Sequence, residues 1–211
     1  MIERVFCRVL NRRQFLTTTL CASGVLLPNS VRSEVPIGSA TAVRGRVERR
    51  RDAKLDVLLI GENILNEDTV STGDDGFADL ELEGKTRIVL GNQTELLIDG
   101  FIASQGGTLE LGTGRMVFDY PESSPKLNLT VRTAFGMIGV RGTKFFCGPN
   151  RNVFAVFVER GQVAVRAAGV TQLVGRGEGV DIARPGAAPS NFAVWGEPRI
   201  VEAYASVGLS R

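Results

Sequence analysis

Four places in the sequence hold residue types whose chemistry could go beyond packing: Arg141-Gly142-Thr143, Cys147, the paired acids Asp74-Asp75, and the run Gly175-Arg176-Gly177-Glu178-Gly179. The Arg141 guanidinium offers five N–H donors to a carboxylate or phosphate. Between Val140 and Gly142, in a strand-and-turn setting, it can instead satisfy buried backbone carbonyls. With no partner clustered near it in sequence, the structural role is favoured. Cys147 follows Phe145 and Phe146 and has no histidine to activate it, so it reads as a small core hydrophobe. Asp74 and Asp75 could offer oxygens to calcium, but the longer calcium-loop spacing is missing, and two acids in a Gly-flanked turn are ordinary. The Gly175–Gly179 run lacks both the Lys-Ser/Thr ending of a phosphate loop and a helix behind it, and reads as a turn. Histidine is absent from the whole chain, which removes the commonest general base and transition-metal ligand and disfavours hydrolase triads and zinc sites. The expectation is a non-enzyme with no cofactor and no metal. An enzyme would need a pocket of convergent, pKa-perturbed carboxylates.

Stepping along the chain from its start, residues 1–33 read as an export segment. Arg4, Arg8, Arg12 and Arg13 precede an uncharged, mostly apolar stretch from Phe15 to Leu27, closed by Pro28. That stretch is shorter than the roughly 20 apolar residues of a membrane-crossing helix, so no stable span is expected once the segment is removed. Arg12-Arg13, a variable residue, then Phe15-Leu16 is similar to the twin-arginine export consensus; an ordinary secretory signal holding two arginines is the alternative. Both lead to export, and the twin-arginine reading places the protein in the periplasm. A cleavage site is expected after Ser33. Leu20 before Cys21 argues against lipidation.

Setting residues 1–33 aside changes the charge. They hold five of the 25 basic and one of the 23 acidic side chains, leaving 20 against 22 and a formal charge of −2. No nucleic-acid partner is expected, because phosphates demand clustered positive charge. The run Arg49-Arg50-Arg51 is expected in a solvated turn. Only Cys147 of the three cysteines lies beyond residue 33, so stability must come from a hydrophobic core, for which the 178 remaining residues are sufficient.

Short apolar runs alternating with period two, separated by Gly, Asp and Asn, extend from Ser39 to Ile182 and predict an all-β domain over 34–184. Ala78, Leu80 and Leu82 share one strand face. About a dozen short strands are expected, too many for one flat sheet, so a sandwich, a barrel-like roll or a wound β-solenoid must bury the inward faces. Pro185 to Pro189 reads as a linker within a 185–211 tail. Glu197-Pro198 opens a short C-terminal helix carrying Ile200, Val201, Tyr204 and Val207. Trp195 is expected to anchor this tail on the domain.

Two passages resemble the FecR domain family, named for a periplasmic regulator of iron-citrate transport. The first contains Asp68, Thr72, Gly73, Ala78, Leu80 and Gly84; Glu67 and Glu83 depart from the family's usual Gly and Asp. The second runs from Val131-Arg132-Thr133-Ala134 through Gly139-Val140-Arg141-Gly142-Thr143-Lys144-Phe145, similar to the family's GVRGT signature, with Ala134 where proline is common. Val156 to Val163, with Glu159 and Gly161, resembles the hairpin that follows, and Gly175–Gly179 resembles the return. The resemblance implies structural roles for Asp68, Thr72, Gly73, Gly84, Gly139, Arg141, Gly142, Thr143, Glu159 and Gly161. It also implies a periplasmic protein acting by protein–protein contact in envelope signalling or assembly, with a receptor, an anti-sigma protein or a secretion component as partner. The full-length regulators carry a cytoplasmic anti-sigma segment and a membrane helix before this domain, whereas here an export signal precedes it. A cell-wall or glycan-binding module is the alternative, for which the sequence supplies few aromatics beyond Trp195, Tyr120 and Tyr204.

Overall fold

Alternating and continuous apolar runs mark out the strands, and the computed structural model arranges these strands in two layers. It describes residues 35–102, 105–124 and 128–210, together with the backbone but not the side chains of Ile102 and Arg141. The export-signal residues Arg12, Arg13, Phe15 and Leu16 lie outside the described residues. Contacts divide the chain into Met1–Ser33 and Glu34–Arg211, and the second unit is described here.

The chain begins with β1 (Gly38–Arg44), β2 (Val47–Arg51), β3 (Lys54–Val57), β4 (Asn63–Ile64) and β5 (Thr69–Thr72). It continues through β6 (Phe77–Leu82), β7 (Thr86–Leu90), β8 (Glu95–Ile102), β9 (Gly106–Thr113), β10 (Met116–Asp119) and β11 (Asn128–Thr133). The last strands are β12 (Gly136–Asn150), β13 (Val153–Ala167), β14 (Val170–Val174), β15 (Glu178–Ile182) and β16 (Ser190–Val194), followed by helix α1 (Glu197–Ala205). The fold is all-β with a short C-terminal helix, as its sequence implies. The described residues form sixteen strands where the sequence pattern predicts about a dozen, because short strands such as β2 and β4 carry too few apolar residues to stand out in the sequence.

Hydrogen-bonded pairing links all the strands, and the registers fold them into two layers. Layer A has the order β3-β2-β5-β8-β9-β11, then the first half of β12, the second half of β13, and β14. Layer B has the order β4-β1-β6-β7-β10, then the second half of β12, the first half of β13, β15 and β16. A two-layered roll results, in which β12 and β13 belong to both layers. The Gly73–Gly76 segment between β5 and β6 is therefore no hairpin turn; it carries the chain from layer A to layer B.

One core lies between the layers. Leu96, Ile98, Leu109, Leu111, Val131 and Val163 of layer A meet Leu80, Leu82, Ile88, Phe118, Phe145 and Val156 of layer B. Layer A strands alternate because their other face is open. In layer B, β7 and the second half of β12 read as unbroken apolar runs, Ile88-Val89-Leu90 and Phe145-Phe146-Cys147, because both faces are buried there, whereas β6 alternates. On the outer face of layer B, Val89, Val117, Phe146, Ala155 and Phe157 pack against Trp195, Ile200, Ala203, Tyr204 and Val207. Helix α1 has Pro198 in its first turn and Glu197 beside its N-terminus, where a negative charge is favourable. Trp195 and the helix thus lie against the domain. Val201 points to solvent, 44% exposed.

Candidate functional site

Arg141, Gly142, Thr143, Glu159 and Gly161 lie at or beside one feature, the bend that passes β12 and β13 from layer A to layer B. These 15-residue strands form a hairpin closed by Arg151 (φ 53°) and Asn152 (φ 65°), the two left-handed residues that a type I′ turn requires. Their register is regular from Met137–Arg166 to Arg141–Gln162 and again from Phe145–Val158 onward, but slips between Arg141 and Phe145. Gly142 (φ 63°) and Gly161 (φ 81°) face each other at the slip. A Cβ on Gly161 would stand 2.6 Å from the Gly142 carbonyl oxygen and 2.7 Å from Thr143 Cγ2. Thr143 is fully buried, and its carbonyl accepts the Tyr120 N–H at 3.0 Å. The hairpin expected at Val156–Val163 is thus a bend inside one continuous strand, because Gly161 turns the backbone without reversing it.

Glu159 joins this bend to the C-terminal helix. Its carboxylate accepts the Tyr204 hydroxyl at 2.5 Å and lies 3.2 Å from Lys144 Nζ. Next to it, Arg160 donates to Asp119 at 2.7 Å and to the Tyr120 carbonyl at 3.0 Å. The Tyr204 contact was not legible in sequence, since 45 residues separate the partners; the only hint was a tyrosine on the apolar face of α1.

Other motif residues hold the layers. Asp68 is fully buried and receives both Arg51 Nε and Nη2 at 2.7 Å and the Leu65 N–H at 2.9 Å. Such a bidentate, charge-assisted pair fixes the turn before β5 onto β2. The Thr72 hydroxyl donates to the Gly91 carbonyl at 2.6 Å and accepts the Thr94 N–H at 2.9 Å. Gly73 receives the Gln93 N–H on its carbonyl and donates to the Arg46 carbonyl. Gly84 (φ 64°) turns β6 into β7. At Gly139 nothing demands glycine: its nearest neighbour would be 3.8 Å from a Cβ. Arg141 keeps its backbone place opposite Gln162, and its side chain lies outside the described residues.

The basic run departs from the expected solvated turn. Arg49-Arg50-Arg51 lies in β2, and Arg49 is buried, donating to the Asn63 carbonyl at 2.8 Å with Asp56 and Glu62 carboxylates within 4 Å. Carboxylates that follow later in the chain draw Arg49 and Arg51 inward, while Arg50 stays exposed.

Chemically, the surroundings offer matched charges rather than reactive ones. An open groove of about 810 Å³ beside the bend is lined by Lys85, Arg87, Asp119 and Arg160. Arg87 holds Asp79 through hydrogen bonds of 2.6 to 3.0 Å, which raise the Arg87 pKa. Among the described residues, no group of three or more Cys, Asp or Glu side chains is placed to hold a metal. Trp195, Tyr120 and Tyr204 are buried, which leaves them unable to serve as a sugar-stacking platform.

Cys147 sits in the core and burial pushes its thiol pKa up. The neutral thiol is therefore favoured by the fold. That contribution is complete below the ordinary thiol value of 9.0 and is lost as pH rises past it, because the unfolded chain ionises first. Alkylation of Cys147, followed by peptide mapping at pH 8, is expected to be about a hundredfold slower in the native protein than in urea. Equal rates would remove the thiol from the core.

Comparison with known proteins gives the same frame. Residues 68–164 match the model of the FecR protein family, a span holding every motif residue from Asp68 to Gly161. Two crystal structures, at 1.65 and 2.50 Å, each described as a "putative anti-sigma factor" from Parabacteroides distasonis, are similar in fold, with a TM-score of 0.53 and 16% identity. The match covers 63% of this chain and 62% of theirs, so this chain spans about three fifths of their length. No curated protein matches the sequence.

Proposed function

We propose that this chain is a non-enzymatic, FecR-like periplasmic protein, exported by the twin-arginine route, that acts by protein–protein contact in envelope signalling or assembly. The observation that carries this reading is the FecR match over residues 68–164, supported by a fold similar to the anti-sigma structures. Gly142, Thr143 and Gly161 at the bend, with Asp68 and Thr72 at its supports, make contacts within the domain, which supports a motif that holds a surface for a partner. Among the described residues, no helix is long and apolar enough to cross a membrane. The partner is an envelope protein: a receptor, an anti-sigma protein or a secretion component.

Crosslinking the tagged protein in cells, purifying it and identifying partners by mass spectrometry tests the reading. Phe145→Asp, which buries a charge at a fully buried core position, supplies the misfolded background. One envelope protein recovered with the native chain and lost with the variant is the expected result; recovery of glycan fragments alone would replace the reading with a wall-binding one. Separately, Arg12→Lys with Arg13→Lys is expected to leave the protein in the cytoplasmic fraction, since the paired arginines are what the route reads. Unchanged periplasmic recovery would assign an ordinary secretory signal.

A further inference from the structure

Strand β3 ends layer A and pairs only with β2 among the described strands. Its side chains Leu55 and Val57, and those of the following turn, Leu59 and Ile60, are 59 to 65% exposed. An open edge bearing four large aliphatic side chains is a template for pairing unless something guards it.

The direction of its backbone groups follows from the register. The Leu58 N–H donates to the Val47 carbonyl at 2.9 Å, and Glu48–Val57, Arg49–Asp56 and Arg50–Leu55 follow in step. Val47–Leu58 and Arg49–Asp56 are therefore the hydrogen-bonded pairs of this antiparallel ladder. Leu55 and Val57 occupy the alternate positions, whose N–H and C=O point away from β2. The free edge thus presents its donors and acceptors at the two exposed apolar residues.

Charge selects the partner. Lys54 and Asp56 share the opposite face of β3 from Leu55 and Val57, 2.9 Å apart as an ion pair. In a twofold antiparallel pairing centred on Leu55, Leu55 meets Leu55 and exchanges two hydrogen bonds. Val57 then faces Ala53, and each Lys54 faces the Asp56 of the other copy. Centring on Asp56 or on Lys54 instead puts like charges on the axis, which is destabilising. We propose that β3 is a contact between two copies of this chain, joined edge to edge about a twofold axis at Leu55. Lys54 is a residue that blunts an edge against other sequences; against its own copy it is complementary. The Leu59–Glu62 turn, closed by Glu62 N–H to the Leu59 carbonyl at 3.2 Å, then brings Leu59 and Ile60 beside the other copy's Asp52–Ala53 turn.

Sedimentation velocity of the purified full chain over a range of concentrations tests this, with circular dichroism melting of each variant as the control for folding. The unaltered chain is expected to show a concentration-dependent dimer. Lys54→Asp alone and Asp56→Lys alone are expected to weaken association by about tenfold or more, because each sets like charges across the axis. Arg49 keeps Glu62 and the Asn63 carbonyl in the Asp56→Lys chain. Mixing the two single variants restores complementarity and is expected to give a heterodimer, as is the double swap with itself. Leu55→Cys is expected to form an interchain disulfide that the parent chain does not, the paired Cα atoms lying about 5.5 Å apart. A monomer at every concentration, with Leu55→Cys uncrosslinked, would give the edge to another partner and overturn the proposal. So would a dimer indifferent to both charge changes.

Discussion

Gly161→Val is expected to destabilise the domain by about 4 kcal/mol, a large share of the roughly 5–15 kcal/mol that holds a domain of this size together. Two costs combine. A β-branched residue at φ 81° occupies a region that side chains other than glycine rarely enter, at about 1–3 kcal/mol. Its Cβ would also stand 2.6 Å from the Gly142 carbonyl oxygen, a backbone atom in the short slip between the paired residues Arg141 and Lys144. Gly142→Ala is the internal comparison. That residue has φ 63° but nothing within 4 Å of its Cβ position, so only the conformational cost of about 1 kcal/mol remains. Urea unfolding of the two variants reads the difference. Equal losses would mean that the bend is not where the hairpin is tight, and that the slip between Arg141 and Phe145 is supported elsewhere.

That bend also marks where sequence reasoning reached its limit. Alternation at Ala78, Leu80 and Leu82 and the apolar runs at Ile88–Leu90 and Phe145–Cys147 identified strands, because burial writes itself into local pattern. Pro198 and the spacing of Ile200, Tyr204 and Val207 identified the helix in the same way. What local pattern does not encode is which strand crosses between layers. Gly161 looks like a hairpin glycine until Gly142 is placed opposite it, and nothing in the Gly73–Gly76 turn itself says that β5 and β6 belong to different layers. Arg49 shows the same limit for polar residues. Its burial depends on Asp56, Glu62 and the Asn63 carbonyl, groups that follow 7 to 14 residues later and reach it only through the return of the chain. Asp68 and Thr72 hold Arg51, Leu65, Gly91 and Thr94 in place, contacts that likewise need the folded chain to bring the partners together.

The outer face of layer B carries the second large expectation. Gly179→Ala adds only a methyl group, yet that Cβ would lie 2.1 Å from Trp195 Nε1 and 2.4 Å from Cε2. The indole is not free to yield. It stacks on Phe157 with ring centroids 4.9 Å apart, and the Arg199 guanidinium lies 3.8 Å above its centre. Arg199 is in turn held by Asp181 at 2.7 Å and Asn150 at 2.9 Å. Displacing Trp195 forfeits most of what burying a tryptophan contributes, about 3–5 kcal/mol by comparison with truncation to alanine. The loss should be local. Ile200, Ala203 and Val207 pack in the same outer cluster as Trp195, whereas Leu80, Ile88 and Phe118 belong to the core between the layers. Segment 195–209 is therefore expected to undock as a unit while the roll stays folded, in the manner of a low-stability element opening ahead of the global transition. Trp195 is the only tryptophan in the chain, so its emission reports this directly: a red shift in native buffer, with faster amide exchange confined to α1 and its flanks. Unchanged emission would mean that β15 shifts to accept the methyl group, and that the indole is set by Phe157 and Arg199 rather than by the absence of a side chain at Gly179.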